Sequence, residues 1–105
     1  MMISRYNYRG KMYDAAAFYA QQATEKALKA LSIEVNGTFK RSHDLVEIAS
    51  DVAAPTSVLK MCSVINPAYT GTRYPDMPEL GTKEDVREVL AASREVVKWA
   101  RSRLR

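Results

Sequence analysis

Apolar residues recur along this chain at steps of three and four, and no segment alternates convincingly at period two, so the pattern predicts helices throughout. The clearest helix runs from about Met12 to Glu34. It contains no Gly or Pro and is rich in Ala, Leu, Glu, Lys and Gln, which lose little on entering a helix. Ala16, Ala20, Ala23, Ala27 and Ala30 follow one another at four, three, four and three, the spacing of one heptad seam. A second apolar stripe, Ala17, Leu28, Leu31 and Val35, runs beside it. Small side chains let helix axes approach, so the alanine row is expected to be sealed against neighbouring helices. Gln22, Glu25, Lys26 and Lys29 share another face, where Gln22 with Lys26 and Glu25 with Lys29 are i,i+4 neighbours.

Asn36 and Gly37 tolerate the left-handed conformation that ends a helix, and Ser42 is placed to cap a short second helix, about His43 to Val52, with Asp44 in its first turn. Pro55 suits the start of a third, in which Val58, Met61, Cys62 and Ile65 share a face. Pro67 and the run Tyr69 to Asp76 end or kink it, and the following Met-Pro-Glu-Leu-Gly reads as a loop. Thr82, with Asp85 three residues on, resembles a capping box opening the last helix, whose stripe is Val86, Val89, Leu90, Val96, Val97, Ala100 and Leu104. Trp99, one position off that stripe, reads as an edge-of-core or interface residue. The architecture implied is an all-α, antiparallel, up-and-down bundle of four to five helices.

Length confines this to one domain over residues 1–105, and at 105 residues a single core is modest, which makes a homodimer or higher homo-oligomer plausible. A net charge of +4 favours anionic partners, although much of the excess sits in Lys98, Arg101, Arg103 and Arg105, where it also complements the C-terminal dipole of a helix. One cysteine, Cys62, rules out an intrachain disulfide and a cysteine-rich zinc site, and no apolar stretch has the length of a signal peptide or a membrane span. The expected compartment is the cytoplasm, with no membrane partner and no cofactor.

The block Ala16-Ala-Phe-Tyr-Ala-Gln-Gln-Ala-Thr-Glu-Lys-Ala-Leu-Lys-Ala-Leu31, then Ser42-His-Asp-Leu45, then Thr72-Arg-Tyr-Pro-Asp76 and a capped C-terminal helix, resembles the HEPN (higher eukaryote and prokaryote nucleotide-binding) domain across about residues 5 to 104. The resemblance implies a helical bundle that commonly dimerises and often acts beside a minimal nucleotidyltransferase, in a toxin–antitoxin-like module; some branches are ribonucleases. Family members have a full helix ahead of the block that begins near Tyr13, so the first helix here is expected to be shortened or missing, which implies either tighter reliance on a second subunit or a start codon assigned too late. The ribonuclease branch carries an Arg, four to six residues and a His. The only histidine here is His43, and that spacing places Asn36, Gly37 or Thr38 where the arginine belongs, while Arg41 is only two residues away. Cleavage of RNA without a metal needs a base near the 2′-hydroxyl and a cation near the phosphate, so the chain does not read as a self-sufficient enzyme.

The binding residues expected are Gln22, Lys26, Lys29, Arg73 and Tyr74. Lys26 and Lys29 suit a phosphate and Gln22 a base or ribose edge, unless this is an ordinary solvated face. Arg73, in a loop held between Pro67 and Pro75, suits a phosphate, or else ties the loop to Glu25 or Asp44. Tyr6, Tyr8 and Tyr13 alternate with Arg5, Arg9 and Lys11, a mix suited to subunit packing or to stacking on bases. His43, which without further ligands makes no metal site, reads as a loop-bonding residue and as the one catalytic candidate. Three readings follow: a non-catalytic nucleotide-binding protein or nucleotidyltransferase partner, a divergent ribonuclease acting on RNA through His43, and a purely structural oligomerisation subunit.

Overall fold

In the computed structural model the residues described are 5–69 and 83–104, with side chains from residue 15 onward. They form four α-helices, α1 (Arg5–Asn36), α2 (Leu45–Asp51), α3 (Thr56–Ile65) and α4 (Lys83–Arg103), with a 3-10 turn at Asn66–Ala68 and no strand among the described residues. No described helix is long and apolar enough to cross a membrane.

α1 begins earlier than the sequence pattern suggests. The residues ahead of Tyr13 continue α1 through Gly10 instead of forming a separate helix, so this one rod reaches about 48 Å at 1.5 Å per residue. It accounts for much of the 53 Å long axis of the molecule. α1 stops at Asn36 because Gly37 adopts φ +76° and its N–H closes the last turn onto Ile33 O at 2.8 Å.

Which face of α1 is buried corrects the reading of its pattern. The buried row is Ala17, Gln21, Thr24, Leu28 and Leu31, again at four, three, four and three but one position along from the alanine row. Ala23 and Ala30 are exposed and Ala16, Ala20 and Ala27 only half-buried. Polar contacts decide the rotation. Thr24 Oγ1 and Ser93 Oγ of α4 lie 2.7 Å apart, and each hydroxyl also reaches Ala20 O, at 2.8 and 3.0 Å. Two side chains that look polar in sequence thus pin α1 to α4 inside the core, and the apolar stripe that includes Leu28 and Leu31 turns inward with them.

The helices are not strictly up and down. After Gly37 the chain runs back along α1 in extended form: Thr38 O accepts from Ser32 Oγ, Phe39 lies under Lys29, and His43 reaches Glu25. α2 therefore starts level with the middle of α1 and climbs the same way, ending where Asn36 Nδ2 donates to Asp51 O. α3 descends, bringing Asn66 back to Asp44 and Leu45. α4 rises again, with Ser93 beside Thr24, and Trp99 and Arg103 sharing a hollow with Leu31 and Val35. Only α3 opposes the other three. A connection of eight residues between α1 and α2 is long enough to retrace part of a helix, which a tight reversal is not.

The cap of α2 is Asp44, not Ser42. Its Oδ1 accepts from the N–H groups of Val46 and Glu47, while Ser42 Oγ accepts from Asp44 N and donates to Glu47 Oε2. α3 begins after Pro55 as the pattern implies and buries Val58, Cys62 and Ile65. α4 buries Val86, Val89, Ser93, Val96 and Ala100, and ends with Arg101 and Arg103 in its last turn, where cations suit the helix dipole. Arg103 also lies over the half-buried Trp99 ring, 5.4 Å from its centroid. Thr82 and its capping box, and the segment carrying Arg73 and Tyr74, lie outside the described residues; so do the side chains of Tyr6, Tyr8 and Tyr13.

Candidate functional site

The extended return of residues 38–44 carries the lone histidine to the middle of α1. There His43 Nδ1 meets Glu25 Oε1 at 2.9 Å. Glu25 has only 7% of its surface exposed, and its two oxygens are shared among three partners on α1 and the loop: Oε1 also accepts from Gln21 Nε2 at 3.1 Å, and Oε2 pairs with Lys29 Nζ at 3.0 Å. Gln21 is itself held by Gln22, whose Nε2 donates to Gln21 Oε1 at 2.6 Å. Burial acts to raise the Glu25 pKa, but hydrogen bonds from His43, Lys29 and Gln21, with the charge of Lys29, outweigh it and hold the carboxyl below its ordinary value. An ionised Glu25 places the proton of a neutral His43 on Nδ1 and leaves Nε2 as the ring's open acceptor.

The His43 ring stacks on Tyr69, with centroids 4.3 Å apart and planes 16° from parallel, and Phe18 lies 6.4 Å from the same tyrosine. His43, Asp44, Asn66 and Tyr69 line a hollow of about 210 Å³. Asn66 braces its floor, accepting from Leu45 N at 2.8 Å and donating to Asp44 Oδ1 at 2.8 Å. The arrangement offers an aromatic surface, a nitrogen acceptor and a carboxylate within one small opening. Among the described residues no cluster of His, Cys, Asp and Glu could hold a metal ion. Buried Cys62 offers no nucleophile at neutral pH, since desolvation and then the charge of Asp44 push its thiol up to about 12.

A model of the HEPN domain matches residues 2–103, nearly the whole chain. The chain belongs to the HEPN family. No curated protein and no solved structure matches it.

Within this HEPN domain the residues expected at the site divide. Lys29 borders the His43 cluster, but its ammonium is held by Glu25 and lies 5.2 Å from the Phe39 ring centroid, so its charge is already engaged. Gln22 reaches the cluster through Gln21. Lys26 is exposed and makes no ion pair among the described residues. Arg73 and Tyr74 fall outside the described residues, whereas Glu25, one acid proposed for Arg73, is already bonded to three side chains. Sequence reasoning missed Glu25, Asn66 and Tyr69 as companions of His43. They stand 18 or more positions from it, and only the retracing loop and the descent of α3 bring them together.

Proposed function

We propose that this HEPN protein is a cytoplasmic, non-catalytic helical oligomer that binds a nucleotide, or one nucleotide of an RNA, at the hollow beside His43 and Tyr69. The observation that carries the reading is the braced ring pair: Glu25 fixes His43 by its Nδ1, and the ring is held flat against Tyr69 at the edge of an opening. Aromatic surfaces of this kind stack on bases. The hollow is below the roughly 300–1,000 Å³ of sites that enclose whole small molecules, which suits one ring system with sugar and phosphate outside. Arg41 and Lys26, both exposed and without an ion pair among the described residues, are the cations this reading assigns to phosphate; Arg73 and Tyr74, which the sequence pattern adds, lie outside the described residues.

Titrating ATP, GTP and a short RNA into the purified protein at low salt tests the proposal. Saturable binding that falls at least tenfold in His43→Ala and in Tyr69→Ala, and weakens with added salt, is the expected result. Absence of binding to all three would refute it. The nucleotidyltransferase partnership belongs to the same proposal, and copurification of a neighbouring nucleotidyltransferase in equal amount is its check.

The Glu25 contact favours one second reading. A histidine whose Nδ1 is oriented by a carboxylate has Nε2 available as a general base, and a ribonuclease would use it on a 2′-hydroxyl, with an arginine from elsewhere in the chain or from a second subunit at the phosphate. RNA cleavage abolished by His43→Ala and slowed by Glu25→Gln would establish that reading. Cleavage indifferent to both changes would remove it.

A further inference from the structure

Among the described residues the hollow is poor in free hydrogen-bond donors. His43 Nδ1 is committed to Glu25, and the N–H groups of Leu45, Val46 and Glu47 are committed to Asn66 Oδ1 and Asp44 Oδ1. Asn66 Nδ2 gives one hydrogen to Asp44 Oδ1 and retains the other. What remains beside the rings is an acceptor set: Asp44 Oδ2, which no described residue engages, and Nε2 of the neutral His43. One donor and two acceptors complement the edge of guanine, which presents the O6 acceptor followed by the N1–H and N2–H donors. Adenine offers one acceptor and one donor along that edge. Hypoxanthine lacks the second donor.

Resting on the nucleotide-binding reading above, we infer that the hollow selects the amino-bearing edge of guanine, with Asp44 Oδ2 as the acceptor that discriminates. Asp44 divides its two oxygens between tasks: Oδ1 caps α2 and holds Asn66, and Oδ2 meets no donor among the described residues. An Oδ2 without a donor is tolerable because Asp44 is exposed to water, and a guanine would replace that water with a charge-assisted bond. A base that cannot donate there leaves the carboxylate desolvated and unpaired, which is how polar sites reject close analogues.

Comparing GMP, IMP, AMP and ribose 5-phosphate by calorimetry on the full chain tests this. GMP is expected to bind at least about tenfold more tightly than IMP or AMP, with ribose 5-phosphate weaker still. In Asp44→Asn the discrimination between GMP and IMP is expected to vanish, while melting stays close to the wild type because asparagine caps a helix as well as aspartate does. Equal binding of GMP and IMP, with both lost in Tyr69→Ala, would overturn the guanine assignment and leave nucleotide binding standing. A GMP preference that survives Asp44→Asn would overturn the role of Asp44. No binding of any of the three nucleotides would overturn both proposals.

Discussion

Glu25 is the residue on which the site is hung, and its chemistry gives a signed pH dependence. Its carboxyl titrates below the ordinary 4.5 in the folded chain because three side chains donate to it. A group with a depressed folded pKa adds stability that is fully present above its unfolded value and is lost as pH falls through the folded one. Melting followed from pH 7 downwards should therefore show a loss that begins near 4.5 and deepens below it. Glu25→Gln, which keeps an acceptor for His43 but loses the charge facing Lys29, should cost about 1–3 kcal/mol at neutral pH. The gap between the two proteins should close as the solution is acidified; a gap constant from pH 7 to pH 3 would show that the carboxylate is not held as described. Gly37 gives a second residue-scale expectation. A Cβ there would meet nothing within 4 Å, so Gly37→Ala should cost only the backbone strain of φ +76°, roughly 1–2 kcal/mol by chemical denaturation.

At the scale of elements, the contact between α1 and α4 depends on hydroxyls as well as on apolar packing. Thr24→Val and Ser93→Ala should each cost about 1 kcal/mol, and the double change less than the sum by about 0.5 kcal/mol or more, because either single change already removes the bond between the two hydroxyls. Strict additivity in denaturant titrations would mean the two act independently. The same pair explains why the helices were legible in the sequence and the buried seam of α1 was not. Hydrophobic spacing located α3 and α4 and the end of α1, since Val58, Cys62, Val86, Val89 and Val96 sit at helical steps and Gly37 breaks the pattern. On α1 the buried row contains Gln21 and Thr24, whose fitness for the core comes from partners on other segments, so the uninterrupted alanine row beside it looked the better seam. The candidate site was hidden for a related reason. His43 stood out as the lone histidine, but the carboxylate that orients it and the ring that carries it are set by a loop path which no local periodicity records.

For the molecule as a whole, the rotation of α1 leaves a small-residue face unpaired, and that face argues for a second copy of this chain. Ala23 and Ala30 are exposed and Tyr19 is 70% exposed, all along one side of a rod about 48 Å long. Small side chains allow a second α1 to approach closely about a two-fold axis, where the same patch meets itself, and Tyr19 would supply an aromatic anchor. Sedimentation at tens of micromolar should then give a dimer. Ala23→Glu, which places a charge in the middle of the face, should shift it to monomer. Because Ala23 contributes little to the fold of the single chain, circular dichroism of the variant should retain its helix content, separating loss of association from loss of structure. A wild-type protein that sediments as a monomer at that concentration would overturn the two-fold contact, as would a dimer unmoved by the new carboxylate. In the latter case the association would have to run through other surfaces, such as the hollow between Leu31, Val35, Val52 and Trp99. The braced ring pair depends on neither outcome, since His43 and the α1 residues that hold it, Gln21, Glu25 and Lys29, lie off the alanine face, within one chain, whereas Lys26, between Ala23 and Ala30, lies on that face and would be drawn into the contact.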